Sequence, residues 1–164
     1  MSGDLVRFNL PAGFVVCRVR LEPGELAYGY VNGWLDDAST VGIAEELVAA
    51  GATLAQVQDL ASLFKSELWR VQQIVDAIEP EPGSEPDRVW IFLSLAWLYE
   101  HRRDYADPLQ VIEMLYSDFG YPEEIEGLVR FLPPPPGAPT GVQAIEERWR
   151  EYLQQRSDMY STRR

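Results

Sequence analysis

The chain has 164 residues, of which 46% are apolar and 24% are charged, as in an ordinary globular protein. Acidic residues outnumber basic ones by 26 to 14. The resulting net charge of −12 argues against nucleic acid as a partner, because phosphate binding needs a face rich in Lys and Arg. No run approaches the roughly 18 consecutive apolar residues of a membrane helix, so no membrane partner is expected.

The start of the chain, Met1–Phe8, lacks the basic and apolar regions of a secretory signal, so we expect a cytoplasmic protein. Cys17 is the only cysteine and His101 the only histidine. One cysteine cannot form an internal disulfide, and these two residues cannot supply a zinc ligand set. No cofactor and no metal is predicted.

Residues 10–21 are ambiguous. Val15, Cys17, Val19 and Leu21 alternate with other residues as they would in a strand. We therefore predict a short strand or an extended lead-in over residues 10–21.

From Pro23 onward, apolar spacing predicts about eight helices joined by short turns. Pro23 suits the first turn of a helix. Ser39 is the predicted cap of the next helix, and Gly51 its left-handed stop. Thr53 opens a capping box for a third helix, and the apolar stripe resumes at Ser66.

Residues 80–86 form a predicted mid-chain loop, because three prolines and a glycine at residues 80–86 cannot continue a helix. Asp87 then caps a segment, Arg88–Tyr99, in which apolar side chains occupy every face. Such a helix is normally buried, so we expect the other helices to pack around it.

Asp107 and Pro108 predict the N-cap and first position of a further helix, which Gly120 ends. Pro122 begins the next helix, whose inward residues are predicted to include Phe131. We expect Phe119 to be a core residue.

The proline-rich residues 133–139 predict an extended linker to the last helix. Thr140 opens that helix with a second capping box, and the polar end from Ser157 is expected to fray. The whole series predicts a single all-α domain over residues 1–164, either an irregular bundle or a stack of helical hairpins. No sequence period repeats across the hairpins.

Few residues are suited to catalysis. His101 lies at the polar end of the buried helix, where a structural role is favoured. Cys17 is flanked by Arg18 and Arg20, which would favour a thiolate, but we expect a small buried residue. No phosphate loop or nucleophile-elbow motif is present. We predict a protein that is not an enzyme and has no catalytic residue; an enzyme using Cys17 or His101 is the least favoured alternative.

Paired carboxylates, such as Asp36–Asp37 and Glu123–Glu124, are interpreted as solvated faces, because adjacent helical positions do not face each other. The densest unusual stretch, residues 116–125, combines aromatic and acidic residues around a tight turn. One interpretation is structural, with Gly120 and Pro122 shaping the turn. The other is a surface for a basic partner, because tyrosine adds contact area and acids steer the encounter. The candidate partner-binding residues are Tyr116, Asp118, Tyr121, Glu123, Glu124 and Glu126.

Residues 96–109 (AWLYEHRRDYADPL), 116–125 (YSDFGYPEEI) and 129–133 (VRFLP) together resemble an uncharacterised bacterial family, domain of unknown function 2247. Residues 28–34 (YGYVNGW) are also similar, so the likeness covers most of the chain. The resemblance implies no activity and no catalytic residues. In size and charge, proteins of this kind are similar to immunity proteins that neutralise bacterial toxins.

These observations predict a non-enzymatic, intracellular protein-binding domain, of the immunity type, that neutralises a basic toxin. The alternative is a structural helical adaptor or homo-oligomer with no link to a toxin. Excess acid could also serve solubility alone.

Overall fold

A computed structural model of the chain describes residues 8–163. Over this range the fold is all-α, as predicted, and contains no strand. The α-helices are α1 Ala12–Val16, α2 Pro23–Val31, α3 Asp37–Ala49, α4 Ala55–Ala61, α5 Val71–Asp76, α6 Asp87–Glu100, α7 Pro108–Asp118 and α8 Val142–Ser161. Three 3-10 helices span Lys65–Arg70, Arg102–Asp104 and Glu123–Leu128. The expectation about a secretory signal falls largely on residues 1–7, which lie outside the described residues.

The strand predicted within residues 10–21 is wrong. Ala12–Val16 is a helix, which begins after Pro11 and ends with the Cys17 N–H donating to the Gly13 carbonyl at 3.3 Å. Val15 and Val19 are both buried and lie four residues apart. The same apolar positions therefore satisfy helical spacing as well as alternation, and proline fixes a backbone angle suited to the start of a helix.

The helix starts are only partly as predicted. Asp107 caps α7, accepting the Gln110 N–H at 3.3 Å, as expected. The cap of α3 is Asp36, whose carboxylate accepts the Ser39 N–H at 2.7 Å, so the prediction that Ser39 is the cap is wrong. The capping box at Thr53 is also wrong, because α4 starts after Leu54 without a side-chain cap.

The described chain divides into two compact units by its internal contacts. The first unit contains residues 8–90 and 160–163, and the second contains residues 91–159. The prediction that residues 1–164 form one domain stays a prediction.

In the first unit, α2 lies against the Trp90 side chain. Gly29 of α2 leaves no room for a Cβ atom, which would overlap the Trp90 indole. The indole N–H donates to the Glu25 carbonyl at 2.8 Å, so Trp90 is both packed and hydrogen-bonded. Glycine is required here by close approach rather than by backbone conformation.

The end of α8 also belongs to the first unit, and it does not fray as predicted. The helix continues to Ser161, and Tyr160 is buried. Arg163 then pairs with Glu25, whose side chain is 8% exposed. The polar sequence from Ser157 gave no sign of these contacts, which are the buried ring of Tyr160 and the ion pairs of Arg163 with Glu25 and Glu22.

In the second unit, α6 and α8 share a buried contact. The Trp149 indole N–H donates to the Leu95 carbonyl at 3.2 Å, and the Tyr99 ring meets Trp149 edge-on at 5.0 Å. Every residue from Val89 to Leu98 except Trp97 is buried, which confirms the predicted burial of α6. The hydrogen bond to the Leu95 carbonyl offsets the cost of burying the Trp149 indole N–H.

Candidate functional site

The turn that follows α7 positions the candidate site. Gly120 and Tyr121 are consecutive residues in the left-handed region, with φ values of 77° and 63°. The Gly120 N–H donates to the Ser117 carbonyl at 3.1 Å, and the Tyr121 N–H donates to the Tyr116 carbonyl at 2.8 Å. This pair of bonds is the Schellman ending of a helix, which sets the residue after the glycine beside the last turn.

Two exposed rings lie against one buried ring at this turn. Tyr116 is buried, whereas Tyr121 is 62% exposed and Phe131 is 65% exposed. The Tyr121 and Phe131 ring centroids lie 5.3 and 6.3 Å from that of Tyr116, both in edge-on geometry. Large exposed aromatic side chains are typical of binding surfaces.

A carboxylate completes this surface. The Tyr116 hydroxyl donates to Glu126 Oε2 at 3.5 Å, and Glu126 is otherwise exposed. Burial, followed by the nearby charge of Glu126, raises the pKa of Tyr116, so its hydroxyl remains a donor at neutral pH. We call Tyr116, Tyr121, Glu126 and Phe131 the aromatic–acidic surface.

The other predicted acids lie in different surroundings. Glu123 is exposed and Asp118 is the half-buried last residue of α7. Glu124 is engaged within the chain, because Arg156 lies 3.1 Å from its carboxylate and the Tyr152 hydroxyl donates to it at 3.3 Å. Glu123–Glu124 is therefore not a simple solvated pair.

Sequence reasoning missed Phe131, which was predicted to point inward from a helix. The 3-10 helix ends at Leu128, so Phe131 lies in the following turn and faces solvent. The nearby Pro133 was the available signal, because a proline disfavours helical conformation in the residue before it. Phe119 is likewise half-buried rather than a core residue.

Arg130 fixes the backbone next to Phe131. Its guanidinium donates to Glu113 at 2.8 Å and to Asp107 at 3.0 Å, and both partners belong to the start or middle of α7. The hydrogen bond to Glu113 is the largest cause of the raised pKa of Arg130. This cluster ties the turn that carries Phe131 to α7.

Cys17 and His101 lie in different units, Cys17 in the first and His101 in the second. Cys17 is exposed, so the expectation of a buried cysteine is wrong; its Sγ accepts a hydrogen bond from Arg18 at 3.1 Å. His101 follows α6, where its Nδ1 hydrogen-bonds the Trp97 carbonyl at 2.8 Å and its ring stacks on Trp97 at 3.9 Å. Within residues 8–163, no three His, Cys, Asp or Glu side chains are placed to hold a metal ion.

A second acidic feature lies in the first unit. Asp36, Asp37 and Asp76 line a cavity of about 460 Å³ together with Tyr30 and Val31. The Tyr30 hydroxyl donates to Asp37 at 2.8 Å. Burial is the main cause that raises the pKa of Tyr30 to about 12, and the bond to Asp37 adds to it. Asp36 and Asp37, predicted to be merely solvated, thus serve as a helix cap and a tyrosine acceptor.

The helices of the described chain include none with the length and apolar character needed to cross a bilayer. Neither a curated protein nor a solved structure matches the chain. The model of one family, described as "Uncharacterized protein conserved in bacteria (DUF2247)", matches residues 12–157. This match spans nearly the whole sequence and agrees with the resemblance carried by its aromatic and acidic motifs. The chain therefore belongs to this uncharacterised bacterial family.

Proposed function

We propose that this chain is a non-enzymatic, intracellular protein-binding domain that holds a basic partner on the aromatic–acidic surface, in the manner of an immunity protein neutralising a basic toxin. The observation that carries the proposal is the exposure of Tyr121 and Phe131 beside the carboxylate of Glu126. Aromatic anchors surrounded by polar groups supply most of the binding energy at protein interfaces.

The backbone at Tyr121 supports the same proposal. A non-glycine residue in the left-handed region is uncommon, and for a bulky residue it costs about 1 kcal/mol or more. The ring of Tyr121 recovers part of this cost through its contact with Tyr116, yet most of the side chain faces solvent. Glycine or asparagine would suit the turn better, so the presence of an exposed tyrosine at this position supports a binding role.

The charge of the chain favours a basic partner. At a net charge of −12, long-range attraction accelerates the encounter with a cationic protein. Glu126 meets Tyr116, and Glu123 is an exposed acid two residues after Tyr121 in the chain, so both add local negative charge to this overall field.

The test is site-specific photo-crosslinking in the native bacterial host. A photoreactive phenylalanine analogue at position 121 should capture a basic protein, and the gene of that protein should be toxic when expressed alone. Coexpression of this chain should restore growth. The double variant E123K/E126K should weaken binding at least about tenfold, because it places two cations against a cationic surface.

The matched control is E45K/E46K, which makes the same charge change at two exposed positions of α3. It should retain binding and growth rescue if the aromatic–acidic surface is the contact. Equal losses in the two double variants would contradict a local interface. A crosslink from position 121 only to a second copy of the chain, with a dimer in light scattering, would instead support the homo-oligomer alternative.

A further inference from the structure

We infer that the aromatic–acidic surface receives an arginine side chain of the partner, in preference to lysine. This inference rests on the proposed function and names the chemistry of its central contact. The argument comes from how the chain uses its own arginines.

Three arginines of the chain share one arrangement, in which the guanidinium lies over a tyrosine ring and also meets a glutamate. The three sets are Arg102 with Tyr99 and Glu146, Arg156 with Tyr152 and Glu124, and Arg163 with Tyr160 and Glu25. In the same order, the guanidinium carbon lies 4.0, 5.4 and 5.0 Å from the ring centroid. The nitrogen-to-oxygen distances to glutamate are 3.8, 3.1 and 2.7 Å.

The aromatic–acidic surface contains the tyrosine and the glutamate of this arrangement without the arginine. Tyr121 and Glu126 both meet Tyr116, one through its ring and the other through its hydroxyl. Among residues 8–163, no arginine or lysine forms an ion pair with Glu126, and no cation lies over the Tyr121 ring.

The two arginines that line a cavity together with Glu126, Arg130 and Arg148, are already engaged. Arg130 donates to Glu113 and Asp107, and Arg148 donates to the Gly127 carbonyl at 2.8 Å and the Pro139 carbonyl at 2.9 Å. The 3.5 Å bond from Tyr116 is long and uses only one acceptor position of Glu126. The carboxylate can therefore still accept a forked pair of N–H donors from another molecule.

Arginine fits this surface better than lysine does. Its guanidinium is planar, so it can stack on a ring while donating two parallel bonds to one carboxylate. It is also more weakly hydrated than an ammonium, so moving it from water into an interface costs less free energy. Tyr121 and Phe131 are both largely exposed and both contact Tyr116, so ring surface is available to a flat cation.

The test is a nuclear magnetic resonance titration of the full chain with three blocked tripeptides. Their central residues are arginine, lysine and citrulline, which has nearly the shape of arginine but no charge. The arginine peptide should shift the amide signals of Tyr121, Glu126 and Phe131. The lysine peptide should bind about threefold more weakly, and the citrulline peptide should cause no saturable shift.

Two variants test whether arginine binds at the aromatic–acidic surface. E126Q keeps the shape of an exposed side chain, so the fold is retained, and it should abolish the preference for arginine over lysine. F64S/W69S removes two other exposed aromatic side chains, 73% and 75% exposed, and should leave the titration unchanged. Equal affinities for arginine and lysine in the unaltered chain, or shifts spread evenly over its acidic residues, would overturn the inference.

The outcomes separate this inference from the proposed function. A crosslinked toxic partner together with no arginine preference in the titration would leave the proposed function standing and reject the arginine contact. An arginine-selective titration together with no basic protein crosslinked at position 121 would reject the proposed function and leave the arginine selectivity of this surface standing.

Discussion

Arg163 and Glu25 form a paired contact between residues 138 positions apart in the chain, with Nη1 2.7 Å from Oε1 and Nη2 3.2 Å from Oε2. Glu25 also accepts the Glu22 N–H at 2.8 Å, so its carboxylate closes the first turn of α2 as well. The Glu25 carboxylate thus accepts a hydrogen bond at the start of α2 and also binds Arg163 at the end of the described chain.

Removing Arg163 should therefore destabilise the protein. Arg163→Ala leaves the Glu25 carboxylate, 8% exposed, without its cation, and we expect the free energy of unfolding to fall by about 1–3 kcal/mol. Urea denaturation measures the change. Arg150→Ala is the control, because Arg150 pairs with the exposed Glu147 one helical turn away and its removal should have no measurable effect. Equal changes in the free energy of unfolding would show that the Arg163–Glu25 pair stabilises the protein no more than an exposed ion pair does.

Gly29→Ala should destabilise the protein through the contact with Trp90. The added methyl group overlaps the indole, which must move and lose its 2.8 Å bond to the Glu25 carbonyl. Overpacking of this kind costs about 1–3 kcal/mol. Thermal unfolding and tryptophan fluorescence should both change.

Gly24→Ala is the control for Gly29→Ala, because it lies in the same helix and its nearest neighbour is the Pro80 Cα at 4.0 Å. It should be neutral or stabilising by up to about 1 kcal/mol. A destabilisation by both substitutions would point to α2 itself rather than to the Trp90 contact.

Asp36→Ala should lower stability in a pH-dependent manner. The Ser39 N–H is the main cause that lowers the pKa of Asp36. A carboxyl group with a lowered pKa stabilises the fold above its unfolded pKa of about 3.9, and this contribution is lost as the pH falls through the folded value. We expect a loss of about 1 kcal/mol at neutral pH, vanishing in strong acid. Asp59→Ala, which removes a charge from an exposed helix position, controls for net charge.

The Tyr30 hydroxyl should lose its proton at a higher pH than an ordinary tyrosine does. Because its pKa is raised to about 12, its protonated form stabilises the fold below the unfolded pKa of about 10, and this contribution is lost as the pH rises through about 12. In the ultraviolet absorbance titration, Tyr30→Phe should remove a tyrosine step near pH 12. Asp37→Asn should shift that step to lower pH, because it removes the charged acceptor. An unchanged step in Tyr30→Phe would reject the assignment.

Much of the fold could be predicted from the sequence where a local signal was sufficient. The apolar run around Trp90 predicted the buried α6, and Asp107–Pro108 predicted the start of α7. The strand near Val15 and the cap at Ser39 were wrong because, in each case, two local patterns competed and the sequence alone did not distinguish between them. Asp36 lies three residues ahead of Ser39, and only the structure showed which of the two held the helix start.

The candidate site, too, could be predicted from the sequence only in part. The aromatic and acidic character of residues 116–126 is visible in the sequence. The engagement of Glu124 by Arg156 is not, because the two residues are brought together by packing of distant elements. The exposure of Phe131 depends on the 3-10 helix ending at Leu128, for which the apolar spacing gave no warning.

The pairing of Glu25 with Arg163 has a consequence for biosynthesis. A ribosome completes Glu25 long before it adds the arginine that lies 138 residues later, so the nascent first unit has the carboxylate without its cation. The unit can form its last contacts only after Tyr160 and Arg163 have left the exit tunnel. Folding of this unit is therefore completed only when residues 160–163 have been synthesised, long after its helix α2.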